Sequence, residues 1–384
     1  MDSVTKSKIK FISKQSIPNF YISQATATLQ PQSKVQGVKF RGFSGGLDPV
    51  ETERKAFFEL VERLSSHISA YDNSASHQYL SVIEMKDKGL PFLYPECFVQ
   101  HQPFYDRERL YELPISWVRG HQLITEQDVY VPCLSAYYMW KPQSNEPIFS
   151  RPDTCGLATH VDQDKSTHNG LLEVLERDAL ILSWRCSSRP IKSIDTSCIN
   201  NNLKALILGL ECVPTLYSIG APGMPWVVLA IISNCKFNIT IGHSSSEDLD
   251  IAVSKSLCEA LMVRPSDDLG YSGKCFAYNS REKINRGYYR DGKKVVDWYD
   301  FVSCGSVNSS NRCKLDFSAI EEEFECEPVS VPLLMDNKGW NTSRSIIINA
   351  CQKEDSDIRP NTSVRLEKFA QKSDYVNALP HPFG

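Results

Sequence analysis

Five glutamates stand on three segments of helical period. The segments read Lys55-Ala-Phe-Phe-Glu59-Leu-Val-Glu62-Arg63, then Asn169-Gly-Leu-Leu-Glu173-Val-Leu-Glu176-Arg177-Asp178, and last Lys255-Ser-Leu-Cys-Glu259. Spacing of i, i+3 puts Glu59 with Glu62, and Glu173 with Glu176, on one helical face. The second segment is apolar nearly all round (Leu171, Leu172, Val174, Leu175, Ala179, Leu180), which predicts a buried helix. An unpaired buried carboxylate is costly or takes up a proton. Arg63 and Arg177 lie four residues after Glu59 and Glu173, and Lys255 lies four before Glu259. These cations do not neutralise five acids gathered in one place. Hard divalent ions such as Mg2+ take carboxylate oxygens, and two of them bridging a nucleoside triphosphate satisfy acids and phosphates together. Spacing alone leaves a plain alternative open, because E-x-x-E-R on a helix is also a solvated face closed by an i, i+4 salt bridge.

The elements that must position these acids follow one pattern. Helical periodicity runs from Gly46 to Ser65, from about Ser166 to Trp184, and from about Leu249 to Val263. Asp48-Pro49 reads as an N-cap followed by proline in the first turn. Each helix comes after a Gly-containing or Ser-rich turn, a weak pseudo-repetition. Strand-like runs lie at Asn19 to Ile22, Thr215 to Ser218, Trp226 to Ile232 and Phe237 to Ile241. Residues 1–40 are otherwise polar and aperiodic, and residues 91–150 are rich in proline and aromatics, as short strands and loops are. Residues 266–384 are mixed and end in Leu379-Pro380-His381-Pro382-Phe383-Gly384.

Composition removes several classes. With 384 residues, 41% hydrophobic, 23% charged and a formal charge of −4, the chain has ample core and no basic excess for nucleic acid. No apolar run reaches the length of a membrane span. The 13 cysteines contain no C-x-x-C pair, and the first residues lack the apolar stretch of a secretion signal. They read as free thiols packed in a reducing cytoplasm, with a catalytic cysteine as the alternative. Arg41-Gly42-Phe43-Ser44-Gly45-Gly46 lacks the lysine and spacing of a P-loop. His160, His243 and His381 read as ordinary packed or solvated histidines before proton-transfer groups, and Glu321-Glu322-Glu323-x-Glu325 as a solvated helix face.

In order and separation the three helices resemble the YcaO family of ATP-dependent peptide-backbone-modifying enzymes. The matching residues are Gly46-Leu47 through Ala56-x-x-Glu59-x-x-Glu62-Arg63-x-Ser65, Thr154-Cys155-Gly156-Leu157-Ala158 with Gly170-Leu171-Leu172-Glu173-x-x-Glu176-Arg177-Asp178-Ala179, and Ala252-x-x-Lys255-x-x-x-Glu259. Asp153-Thr154-Cys155-Gly156, Gly220-Ala221-Pro222-Gly223 and Lys255 look most like the YcaO subunit of microcin-type thiazole/oxazole synthetases. The resemblance implies an α+β fold of mixed and antiparallel sheets flanked by helices, with ATP between the three glutamate helices. It implies a single domain over 1–384, with 1–40 an N-terminal segment and 376–384 a proline-containing tail. By motif position Glu59, Glu173 and Glu259 would hold one Mg2+, Glu62 and Glu176 another, and Arg177 and Lys255 would face the phosphates. Pro382 matches part of a P-x-P-x-P ending expected in the active site. The chain departs from the family pattern at Lys55, where serine is common, and at Val161 and Lys165.

The implied activity is ATP-dependent cyclodehydration. A Cys, Ser or Thr side chain of a precursor peptide attacks the preceding carbonyl, the oxygen is phosphorylated, and phosphate leaves to give a thiazoline or oxazoline. Only about 40 residues precede the first motif, too few for a leader-clamping domain. A leader-binding, E1-like partner subunit and an FMN-dependent azoline dehydrogenase are therefore expected, with neither nucleic acid nor membrane as partner. Thioamide or amidine formation, and a non-catalytic scaffold, are the competing readings.

Overall fold

The computed structural model describes residues 8–28, 38–72, 76–98, 107–150, 153–234, 239–268, 293–307, 312–335, 339–351 and 364–377. An antiparallel hairpin, β1 (Lys8–Ile17) and β2 (Phe20–Thr28), opens the chain. β3 (Lys39–Gly46) pairs antiparallel with β2 and completes a first sheet. The aperiodic reading of residues 1–40 thus gives way to strands. Phe20 is fully buried, but the other inward residues of β2 are Ser23, Ala25 and Ala27, too small or polar to mark an apolar alternation. Their size lets α1 (Pro49–Asp72) lie close across β2 and β3. Asp48 caps α1 as expected, accepting the amides of Val50 at 2.8 Å and Glu51 at 3.0 Å.

Next come β4 (Gln78–Leu80), α2 (Val82–Asp87), α3 (Arg107–Glu112), β5 (Ile115–Gln122), β6 (Asp128–Pro132), α4 (Cys133–Ala136) and β7 (Leu157–His160). α5 (Gln163–Arg185), β8 (Ile191–Ile194), α6 (Asn201–Gly209), β9 (Cys212–Ser218), β10 (Trp226–Asn234), β11 (Ile239–Ser246) and α7 (Leu249–Asp268) follow. β11 falls on the expected run from its third residue; positions 237 and 238 lie outside the described residues. The remainder supplies helix Lys293–Val302, β12 (Ser303–Val307), helix Phe317–Phe324, β13 (Val329–Met335), β14 (Asn341–Ile346) and helix Val364–Gln371.

The second sheet runs β11-β10-β9-β8-β12, and β8–β12 is its parallel pair. The third runs β4-β5-β13-β14-β7 with β6 beside β5, antiparallel throughout. α5 packs on β14 and β7 on one side and on β11 and β10 on the other. That double contact explains its apolar circumference: Leu171, Leu180, Ile181, Leu182 and Trp184 are all fully buried. α7 covers β11 and β10 and touches β3, while α1 also reaches β7. The fold is α+β, and its three glutamate helices meet where three sheets come together.

Among the described residues no helix is long and apolar enough to cross a membrane. The 11 described cysteines are free thiols, and burial holds the pKa of Cys133 and Cys155 well above the usual thiol value. Such thiols pack and do not react. The Glu321–Glu325 run is only partly a solvated face: Glu323 turns inward to Arg189 at 3.3 Å and Arg365 at 2.6 Å.

Candidate active site

Each glutamate helix is anchored to a strand in the same way. Phe43 N–H donates to Glu59 Oε2 at 2.6 Å, Gly156 N–H to Glu173 Oε2 at 3.1 Å, and His243 N–H to Glu259 Oε2 at 2.5 Å. The separations in sequence are 16, 17 and 16 residues, so the weak pseudo-repetition of the sequence is a repeated strand–turn–helix unit. Glycine makes the approach possible. A Cβ on Gly42 would stand 2.0 Å from Ala56 O of α1 and one on Gly242 2.1 Å from Ser256 O of α7, whereas one on Gly156 would meet Ser345 O of β14 at 2.1 Å. Gly156 also needs its positive φ of 79°, which favours glycine. Gly242→Ala forces α7 off β11 and is expected to cost about 1–3 kcal/mol, read as a lower urea midpoint at unchanged slope.

The second acid of a pair reaches the neighbouring unit. Thr159 N–H of β7 donates to Glu62 Oε1 at 3.3 Å, and the His243 ring of β11 meets Glu176 Oε1 through Nδ1 at 2.6 Å. Arg63 Nη2 binds Glu59 Oε1 at 2.5 Å and Arg177 Nη2 binds Glu173 Oε1 at 3.3 Å, the expected i, i+4 pairs. Both ion pairs are mostly shielded from solvent, so the solvated-face alternative does not describe them.

These charges act as one cluster. Burial, then Glu173 and Glu59, push the pKa of Glu62 well above the carboxylate range. Burial likewise raises Glu59 and Glu173 in spite of their arginines. Burial opposes the charge of Glu176 too, but the His243 ring overcomes it and holds that acid at about 2. Arg177 is driven upward against its own burial by Glu173, Glu176 and Glu259. Lys255 is driven downward, by burial and then by Lys55.

The donor set fits Mg2+. Hard oxygen donors, three of them with pKa values raised by burial against the ionised form, call for an added cation. Among the described residues no three His, Cys, Asp or Glu side chains form a ready cage for a metal ion. Mg2+ is characteristically held by one or two carboxylates plus nucleotide phosphates, not by an all-protein cage.

Glu59, Glu62, Glu173, Glu176, Arg177 and Glu259 lie within electrostatic reach of one another, and Lys255 interacts with Glu176. Pro382 and His381 lie outside the described residues. Sequence reasoning misses two groups. His243, read as an ordinary histidine, bridges two of the acids. Arg344, buried on β14, grips Asp153 Oδ1 at 2.6 Å and its carbonyl at 2.9 Å, fixing the turn that carries Gly156. No local signal could couple Arg344 to a motif 191 residues away.

The family model of YcaO cyclodehydratase, ATP- and Mg2+-binding, matches residues 44–318. The chain belongs to the YcaO family. ATP and Mg2+ are accordingly its cofactors. In fold it resembles a heterocyclase in complex with substrate and cofactor, with a TM-score of 0.71 at 14% identity over 98% of this chain and 54% of that one. It is similar to a chain of the E. coli microcin synthetase McbBCD complex, TM-score 0.66 at 13% identity, covering 98% and 96%. It also resembles YcaO from Methanopyrus kandleri bound with AMPPCP and Mg2+, TM-score 0.61 at 19% identity, covering 89% and 85%. An uncharacterized protein of Methanothermobacter thermautotrophicus is 26% identical over 200 residues, 47% of this chain and 51% of that protein. The YcaO chain thus spans about half the length of that curated relative and of the heterocyclase.

Proposed function

We propose that this YcaO protein is the ATP-dependent cyclodehydratase subunit of a peptide heterocycle synthetase. The observation that carries the reading is the convergence of five glutamates from three helices, with Arg177 and Lys255 in electrostatic reach of them; in this reading the two cations would face the phosphates. Glu59, Glu173 and Glu259 would hold one Mg2+, and Glu62 and Glu176 a second, which together neutralise the phosphates of ATP. Arg177, held by Glu173, would bind a phosphate oxygen and help to orient the transferring group. The buried wall of α5 excludes water, which would otherwise compete for that phosphoryl group.

In the reaction, a Cys, Ser or Thr side chain of the peptide gives up its proton to solvent and adds to the preceding carbonyl carbon, which closes the five-membered ring. The resulting alkoxide oxygen takes the γ-phosphoryl group and ADP leaves. Departure of phosphate breaks the C–O bond, and loss of the amide proton forms the C=N bond of the azoline. Oxide is a poor leaving group and phosphate a good one, which is what ATP supplies.

Pro382 belongs to the same reading. Asn377 is tied to the end of α5, donating its N–H to Arg185 O at 2.8 Å and accepting from Arg185 Nη1 at 3.0 Å.

Partners are assigned by the same logic. A leader-binding, E1-like subunit presents the precursor peptide, and an FMN-dependent dehydrogenase oxidises azolines, in a cytoplasmic assembly. The McbBCD structure with pro-MccB17 bound, similar in fold, supports a multi-subunit arrangement. Incubated with partner, precursor peptide and Mg2+-ATP, the protein is expected to remove one water per ring, with phosphate appearing in equal amount. Phosphate release without any mass change, or a mass change from exchange of oxygen for sulfur, overturns the assignment.

A further inference from the structure

We propose that His243 is a positioning residue for two of the acids, Glu176 of α5 and Glu259 of α7. The inference rests on the Mg2+-ATP reading of the glutamate cluster. His243 is 8% exposed and sits in β11, next to Gly242, where α7 comes closest to the sheet. Its two polar ends do different work. The backbone N–H holds Glu259 Oε2 at 2.5 Å, while ring Nδ1 lies 2.6 Å from Glu176 Oε1 and 3.5 Å from Glu259 Oε2. One residue of a strand therefore fixes an oxygen on each of two helices and sets the gap between them. An ionised carboxylate can only accept, so the ring serves as donor through Nδ1. The ring bond and a backbone hydrogen bond from Ser245 together fix the orientation of the Glu176 carboxylate. This is the relation between an outer hydrogen-bond partner and a ligating carboxylate that tunes metal affinity.

The role is local to this strand. The corresponding anchor on β3 is Phe43 and the one before β7 is Gly156, neither of which carries a polar side chain. The third unit also has no arginine four residues after its glutamate, where Val263 stands. There the His243 ring lies 3.5 Å from Glu259 Oε2.

The test measures the Mg2+ concentration that half-saturates binding of a fluorescent, non-hydrolysable ATP analogue to the full chain. His243→Leu keeps the bulk and removes the donor, and is expected to raise that concentration about 10–100-fold. His243→Asn carries an N–H near the Nδ1 position and is expected to stay within about threefold of wild type. Equal Mg2+ demand in wild type and His243→Leu, with the same melting temperature, overturns the proposal. Should the leucine variant not fold, His243→Gln takes its place, with the same amide one methylene further out; wild-type Mg2+ demand there also overturns it. Absence of Mg2+-dependent binding by the wild type would overturn the proposed function instead, a separate outcome.

Discussion

Glu173→Gln is expected to slow ATP-driven ring formation by about 10²–10³-fold and to leave the protein at least as stable as before. The first half follows from its place: its two oxygens meet the Gly156 amide and Arg177, and its charge acts on Glu62, Glu176 and Arg177. Removing the charge weakens an ion site and loosens the phosphate-facing guanidinium at once. The second half follows from linkage. Burial raises the folded-state pKa of Glu173, and the help of Arg177 and the Gly156 amide does not cancel it. An acid raised on folding supports the fold below its unfolded pKa, and that support is lost as pH climbs through the folded value. At neutral pH the ionised group works against folding in the metal-free protein. A thermal melt at pH 7 should therefore show an equal or higher midpoint for the glutamine variant, while the phosphate-release assay shows the loss. A large drop in melting temperature would mean that Glu173 is a structural ion-pair member first.

Its near neighbour Asp178 should behave in the opposite way. Asp178→Ala is expected to destabilise the protein by about 3–5 kcal/mol, measured as a fall in the urea midpoint. Asp178 is 1% exposed and accepts from Arg365 Nε at 3.0 Å, Arg365 Nη2 at 3.1 Å and the Cys351 amide at 2.9 Å. Arg365 in turn holds Glu323 at 2.6 Å and lies 4.0 Å over the Phe324 ring. Truncating the acid leaves a buried guanidinium with one partner fewer, and helix Val364–Gln371 loses its main polar tie to α5. Its amides should then lose protection in hydrogen exchange before those of α5 itself. Protection equal to wild type would show that apolar packing by Leu366 holds that helix in place.

Adjacent residues of one motif thus have different masters, and this marks how far sequence reasoning carries. The acids of α1 and α5 are legible because i, i+3 spacing and apolar flanks are local facts. Glu173, Glu176 and Arg177 read as a charged face, and they are one. Asp178 sits in the same run, yet its partner is Arg365, far along the chain, and no periodicity announces that. The strand amides that anchor the glutamates are equally silent, since a backbone N–H has no letter of its own. Gly42 and Gly242 are visible, but as turn or strand glycines, not as places where a helix axis comes close. The β1–β2 hairpin shows only as the Asn19–Ile22 run, because beyond Phe20 the inward side chains of β2 are serine and alanine. His243 escapes because a lone histidine is usually packed.

The three anchoring amides belong to, or directly precede, β3, β7 and β11, strands of three different sheets. The cluster therefore has no precursor in any one sheet. A chain that has closed only the β1–β3 sheet with α1, or only the β9–β11 meander with α7, owns one of the acids at most in its final setting. Affinity for Mg2+-nucleotide is then a property of the last docking step, and ligand binding stabilises the whole fold as a unit instead of a local piece of it. The protein learns whether it is correctly assembled at the same point where it does its chemistry.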